Sequence, residues 1–393
     1  MQAPMQTYDL AVIGAGPAGS AAAMAARRKG LSVALIDKAA FPRDKLCGGG
    51  VTGRAARVLA EVFGHAITPE LFLTSRRVRF TARGAVLGRV ADAPPLHMTM
   101  RRDFDAALHA AAVQAGATPL SRSRVTAIDT DARRLTLAGG ETLSFGVLVG
   151  ADGVTSQTAR HLFGRAYDPA TIAFALEVEA PPAPDDWVEI DLDAARWGYG
   201  WAFPKHGSLT LGVGGLHRHN PDMRGPLARY LALHGAEGTA PGCKGAFLPA
   251  GDYRPVPGRG AVLLAGDAAG LVDPMTGEGI GHAMDSGRLA AEAAAEALAK
   301  GRPEAALAHY ARALAPLQRE LRDACTLQRV MFGPLTHGLM LRIVAARPSM
   351  QRRMLALLAG EIDYADIRRG FFRRLARHAA ATALAPLARR PAG

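Results

Sequence analysis

The chain has 393 residues, 49% of them hydrophobic, and a formal net charge of +12, which supplies apolar material for more than one core and excludes a disordered chain. Its three cysteines, Cys47, Cys243 and Cys325, show no C-x-x-C spacing, which excludes a zinc ribbon and argues against a thiolate-held iron–sulfur cluster, so no metal site is expected. No signal-peptide pattern and no uncharged run of about 18 apolar residues occurs, so the expectation is a cytoplasmic protein without a membrane-spanning helix.

In chain order, Tyr8–Ile13 is a short apolar run that predicts a buried parallel strand. Gly14-Ala-Gly-Pro-Ala-Gly19 follows, then an Ala-rich helical stretch to about Lys29, a second buried strand over Leu31–Ile36, and Asp37 at its end. Strand, glycine loop, helix, strand and acid in this order form a βαβ dinucleotide-binding unit. Gly14 permits the tight turn, Gly16 lets the backbone approach a pyrophosphate, and Gly19 allows close helix–strand packing. The helix N-terminus faces the phosphates, and Asp37 would accept hydrogen bonds from a ribose. Next comes RDKLCGGG, residues 43–50, in which Cys47 precedes three glycines that offer a thiol no packed pocket.

Residues 77–82 and 85–90 flank Arg83-Gly84 as a hairpin, and Ala106–Gly116 predicts a helix. Strands follow at Val125–Ile128, Arg134–Leu137 and Leu143–Val149, the last running into Gly150-Ala-Asp-Gly153. Three segments then alternate with period two: Thr171–Val178, Trp187–Leu192 and Ser208–Val213. They predict an antiparallel sheet with one buried face, a natural roof over a substrate cavity. Tyr199, Trp201 and Phe203 alternate as well and share one strand face, with Pro204 expected to interrupt the strand. The aromatic row reads equally as a core face or as a wall guiding an apolar chain. Ala261–Ala265 predicts another buried strand, ending at Asp267, and Asp285–Lys300 a helix. Beyond Gly301 the pattern is helical, ending in a basic tail, Ile367–Arg390; residues 342–393 carry 11 Arg against three acidic residues. That tail suits a membrane interface or a solvated helix, and without a nucleic-acid-binding motif nucleic acid is not the expected partner.

The predicted fold class is α/β: a discontinuous Rossmann-like domain from residues 1–75, 96–165 and 255–300, an antiparallel-sheet substrate domain from 76–95 and 166–254, and a C-terminal helical region over 301–393 with its basic tail.

Gly14–Gly19, Gly150-Ala-Asp-Gly153 and Gly266-Asp-Ala-Ala-Gly270 resemble, in order, the three FAD motifs of para-hydroxybenzoate hydroxylase-like flavoproteins. RDKLCGGG, Tyr199-Gly-Trp-Ala-Phe-Pro-Lys205, Gly245-Ala-Phe-Leu-Pro249 and Gly360-Glu-Ile-Asp-Tyr364 are similar to the geranylgeranyl reductase branch, and the likeness spans roughly residues 7–365. The resemblance implies FAD held by Gly14, Gly16, Ala18, Gly19, Asp37, Lys38, Cys47, Gly48, Gly49, Arg101, Val125, Asp152, Gly153, Asp267, Gly277, Gly279 and Ile280. Within that set Arg101 would lie near the phosphates, Val125 at adenine, Asp267 at the ribityl hydroxyls and the 277–280 amides at the flavin carbonyl. Asp152 reads from the residues alone as a helix N-cap too. The implied reaction is saturation of isoprenoid double bonds by reduced FAD, with NADPH or another low-potential donor supplying electrons. Tyr199, Trp201 and Phe203 would contact substrate, and Cys47, Tyr199 and Trp201 would serve catalysis. Cys47 is a candidate for part of the proton delivery, or a cofactor-lining residue without proton traffic. Where family members carry a proline three positions before the tyrosine, this chain has Arg196. A hydroxylase shares the FAD motifs and is the alternative activity; a halogenase fits less well, since its motif has Trp and Ile where Tyr199 and Phe203 stand. A non-enzymatic FAD-binding module is the remaining alternative.

Overall fold

The structure, a computed structural model, describes residues 5–64, 67–367 and 369. The basic-tail expectation for Ile367–Arg390 therefore lies almost wholly outside the described residues. No helix among the described residues is long and apolar enough to cross a membrane.

The first sheet runs Gly258–Arg259, Val262–Leu264, Thr142–Gly150, Gln6–Ile13, Val33–Asp37, Thr118–Ser121, with the hairpin 125–137 attached to one end of the Thr142–Gly150 strand. Its central pairs are parallel: Leu10 lies opposite Val147 on one side and Val33 on the other. Leu10, Val12, Leu35, Val149 and Leu264 are almost fully buried, as expected for strands covered on both faces. The helices Pro17–Arg28 and Ile280–Ala299 pack closely, because Gly287 brings its backbone against the carbonyl of Ala18, where a Cβ would collide. Parallel strands present their carboxyl ends on one edge, so Gly14, Asp37, Asp152 and Gly266 all emerge there.

The second sheet runs Lys244–Leu248, Ala173–Ala180, Ser208–Leu216, Gly198–Lys205, Val188–Asp191, Val78–Ala82, Ala85–Val90. Two expectations are corrected here. The sheet is not wholly antiparallel: Val188–Asp191 pairs parallel to Val78–Ala82, because these strands come from distant segments and no hairpin fixes their sense. Pro204 does not interrupt its strand, which continues to Lys205. Lys205 and Ser208 close a two-residue hairpin, so the adjoining Pro204–Leu209 pair is one whose ladder needs no N–H. The neighbouring Val188–Asp191 strand pairs only with residues 200–202, leaving the proline nitrogen beside an open edge.

Residues on opposite sides of this sheet meet different partners. Leu176, Val178, Leu211 and Val213 pack against Leu227, Tyr230 and Leu231 of the helix Arg224–Leu233. Val78 and Phe80 join Met331, Phe332, Val344 and Leu355 from the C-terminal helices Ala306–Phe332, His337–Ala346 and Pro348–Leu358. A small third sheet, Gly50–Val51, Leu96–Met98 and Leu73–Ser75, which the sequence pattern did not announce, fixes the end of the glycine-rich segment between the two larger ones.

Candidate functional site

A cavity of about 890 Å³ lies between the carboxyl edge of the first sheet and the inner face of the second. At the sheet edge its surface is backbone. Gly14, at φ +95°, sits so close to Ala151 that a Cβ would meet the Ala151 carbonyl oxygen. The Ala15 N–H donates to Asp37 Oδ2 at 2.8 Å and the Ala39 N–H to Oδ1 at 2.8 Å, so Asp37 ties the loop to the end of its own strand. A carboxylate oxygen accepts more than one hydrogen bond, so Asp37 keeps acceptor capacity for a ribose. Open glycine backbone, a helix N-terminus and a strand-end acid fit the diphosphate and ribose of FAD.

Every residue expected to bind cofactor lines this cavity except Gly19, which faces the Gly14 carbonyl instead and so makes the helix–strand contact. Arg101 is placed differently from a free phosphate ligand. Its Nε and Nη2 donate to Asp105 at 2.7 and 2.9 Å, and its guanidinium lies beside Cys47. Burial works against that charge, but Asp105 and then Cys47 outweigh it and hold the guanidinium firmly protonated. The cation overlooking the glycine loop is Arg43, which sequence reasoning did not single out. It pairs with Asp105 at 3.2 Å, stacks over the Phe41 ring at 4.8 Å, and brings Nη2 within 3.3 Å of where a Gly16 Cβ would stand. Its only sequence signal was its place at the head of RDKLCGGG.

Asp152 also differs from a simple helix cap. Ser156 caps the helix Gln157–Phe163 by accepting the Ala159 N–H, while Asp152 accepts from the Ser156 hydroxyl at 2.5 Å and the Thr158 N–H at 3.0 Å. Burial raises its pKa in spite of these bonds.

The loop before the helix Ile280–Ala299 is folded around Asp273. Its Oδ1 accepts the Met275 and Thr276 amides at 2.7 and 3.0 Å, and Tyr364 donates to the same carboxylate at 2.7–2.8 Å. The chain's last described turn therefore holds the loop whose Gly277 and Gly279 were expected at the flavin. Glu278 from that loop accepts the Thr52 hydroxyl at 2.7 Å, while its Oε1 is buried without a hydrogen-bond partner. Burial raises its pKa, against His282, Thr52 and Arg54. Asp273, Glu278 and Tyr364 were not predicted as site residues: the pairings Tyr364–Asp273 and Thr52–Glu278 join segments far apart in sequence.

On the opposite wall Tyr199, Trp201 and Phe203 line the cavity together. Tyr199 meets Trp201 edge-on with centroids 6.0 Å apart, and Trp201 meets Phe203 at 6.5 Å. The Tyr199 hydroxyl donates to the Thr276 carbonyl at 2.7 Å, joining this wall to the Asp273 loop, and burial holds the phenol protonated. Phe203 and the Trp201 indole press on Gly48, where a Cβ would come within 3.0 Å of the phenyl ring. Cys47 lies one residue away, half-buried and unpaired; its Sγ accepts the Gly49 N–H at 3.4 Å, and its own N–H donates to Glu177 Oε1 at 2.9 Å. Met98, Ile190, Phe332 and Leu357 extend the apolar surface away from the aromatic row.

Comparison with known proteins gives the same architecture. Residues 8–171 match the family described as pyridine nucleotide-disulphide oxidoreductase. Over 310 residues the chain is 33% identical to menaquinone reductase of Mycobacterium tuberculosis, covering 72% of this chain and 76% of that one. It is 32% identical over 317 residues to geranylgeranyl diphosphate reductase of Rhodobacter capsulatus, covering 75% and 77%. A geranylgeranyl bacteriochlorophyll reductase-like protein of Thermoplasma acidophilum has the same fold, with a TM-score of 0.76 at 23% identity over 90% of this chain and 96% of that one.

Proposed function

Because the chain belongs to the geranylgeranyl reductase family of FAD-dependent oxidoreductases, we propose that it saturates carbon–carbon double bonds in an isoprenoid chain, using electrons from NADPH or another low-potential donor. The observation that carries this reading is the continuity of one cavity, from a glycine-built cradle past an aromatic row into an apolar slot. The relatives' names, menaquinone reductase and geranylgeranyl diphosphate reductase, share a substrate with a long apolar tail as common ground.

Bound FAD, once reduced, would supply the hydride for one carbon of the double bond. The chain's own residues do the rest. Gly14, Gly16 and Asp37 would hold the diphosphate and ribose. The Met275, Thr276, Gly277 and Glu278 amides are bonded within the Asp273-braced loop, so the Gly279 and Ile280 amides at the helix start would be the ones to meet the flavin carbonyl, where they favour negative charge. Tyr199, Trp201 and Phe203 would flank the alkene, and their faces tolerate the positive charge that builds when an isolated double bond takes up a proton before hydride. Burying the reacting carbons among Met98, Ile190 and Phe332 would keep water away from that cation.

The test is anaerobic incubation of reduced, FAD-loaded protein with polyprenyl lipids, menaquinone and geranylgeranyl lipids among them, followed by mass spectrometry. The expected product gains two hydrogens for each bond reduced while the flavin reoxidises. Substrate-dependent oxygen uptake with a hydroxylated product would replace this reading with a monooxygenase.

A further inference from the structure

Saturation of an alkene needs a proton as well as a hydride, and a thiol such as Cys47 is a weak acid toward carbon. The second sheet carries a stronger acid into the same cavity. Its register sets Glu177, Gly212, Trp201, Ile190 and Phe80 side by side across five strands. Cross-strand partners project from the same face, so Glu177 stands in the row of Trp201, separated from it by a glycine. Gly212 leaves that space to the indole, since a Cβ there would collide with the Trp201 ring. Glu177 is only 7% exposed, yet it is one of the residues that line the cavity.

Its hydrogen bonding is one-sided. Oε1 accepts the Cys47 N–H at 2.9 Å, and Oε2 is buried with no partner. Trp201 Nε1, also buried and unpartnered, points to the adjoining residue, 3.2 Å from where a Gly48 Cβ would stand. Two unsatisfied polar atoms thus flank the Cys47–Gly48 backbone from the sheet side. A buried polar atom without a partner carries a desolvation cost that folding alone does not explain, and such groups mark sites of chemistry.

We propose that Glu177 is the acid that delivers the proton to the substrate double bond, with its protonated Oε2 as donor and Oε1 held by the Cys47 amide. This inference rests on the alkene-reducing function above. The step balances: the Oε2–H bond breaks and its proton forms one new C–H bond, hydride from reduced flavin forms the other, and the π bond is consumed. The Glu177 carboxylate left behind is reprotonated from water before the next turnover.

The surroundings suit such a cycle. Burial raises the Glu177 pKa above the ordinary carboxyl value, and Glu179 adds to the rise; Lys205, the Cys47 amide and Lys45 act against it and would steady the carboxylate after the proton leaves. Cys243 is a further titratable group near Glu177, and Lys244, the register partner of Glu177 in the neighbouring strand, stands on its other side, paired with Asp44 at 3.5 Å. Lys205 is itself buried, with Nζ 3.7 Å from Glu179 Oε1.

Glu177→Gln keeps the acceptor for the Cys47 N–H and removes the proton. The expected variant binds and reduces FAD as the wild type does, but its reduced flavin is reoxidised by polyprenyl substrate at least about 100-fold more slowly. The wild-type rate falls as pH rises through the Glu177 pKa, and the variant lacks that limb. A second measurement needs no substrate: infrared spectra of the wild type hold a deuterium-sensitive carboxylic acid C=O band that Glu177→Gln lacks. Should Glu177→Gln lose its flavin, Glu177→Asp serves instead, with the band shifted rather than missing. Equal reoxidation rates in variant and wild type, or infrared spectra identical in that region, overturn the proposal. A wild type that no isoprenoid reoxidises strikes the parent reading instead.

Discussion

The two walls of the cavity are made of different material. At the carboxyl edge of the parallel sheet the surface is main chain: Gly14 against Ala151, Gly16 open to the cavity, amides held by Asp37. Across from it the surface is side chain: Tyr199, Trp201, Phe203 and Glu177, set in register by hydrogen bonds between strands distant in sequence. A main-chain wall reads phosphate and ribose, which look alike in every dinucleotide, and it fails when an atom is added. A side-chain wall would read the proposed substrate, since its residues can differ while the backbone ladder that carries them stays the same. Members of one fold can therefore share a cofactor and differ in substrate.

The contrast can be broken most sharply at Gly14. Gly14→Ala places a Cβ on the Ala151 carbonyl at a positive φ that costs about 1–3 kcal/mol by itself. The purified variant should retain less than about a tenth of the wild-type flavin, read from its visible absorbance, since backbone displacement here reaches the diphosphate cradle directly. A gentler break is Tyr199→Phe, which keeps the ring in the wall and leaves the Thr276 carbonyl without its donor. The expected stability loss is about 1–3 kcal/mol, with a lower kcat/KM for the proposed isoprenoid substrate and flavin content unchanged, because only the tie between wall and loop is cut. Steady-state kinetics beside flavin titration separates the two effects.

The smallest effect sharpens the comparison at Glu278, which belongs to the loop folded around Asp273 yet is anchored by Thr52. Its folded pKa is raised above the ordinary 4.5, so the folded protein holds that proton more tightly than the unfolded chain. The stability this contributes is complete below the unfolded value and is lost as pH rises through the folded one. Glu278→Gln should therefore gain on the wild type as pH rises from that ordinary value, seen as a flatter pH dependence of the urea midpoint. Asp152 and Glu177 carry the same sign, so the slope should flatten only in part.

How much of each wall was legible in the chain follows from its material. Gly14, Gly16 and Asp37 announced themselves because a βαβ unit is local: thirty residues contain every part in order. The alternation of Tyr199, Trp201 and Phe203 gave a shared face for the same reason, since period two is a property of one strand. Glu177 carried no such mark. It stands in an alternating stretch where Ile172, Phe174, Leu176 and Val178 define the apolar set, and reads there as a solvent-facing residue. Arg101 matched a motif by position; in the structure it lines the cavity while pairing with Asp105 one helical turn away, and Arg43, paired with the same carboxylate, overlooks the glycine loop. Pro204 looked like a strand breaker until its place in the hairpin register left its nitrogen nothing to donate to.

By itself the sequence determined a FAD cradle, an aromatic strand face and a cysteine set before three glycines, because each rests on spacing within a few residues. Only the tertiary structure decided that Glu177 shares a row with Trp201, that Asp273 is held by Tyr364, and that Gly48 after Cys47 lies under Phe203 and the indole. Such pairings are set by strand register and by the packing of segments tens to hundreds of residues apart, where the free energy lies in contacts no local pattern encodes.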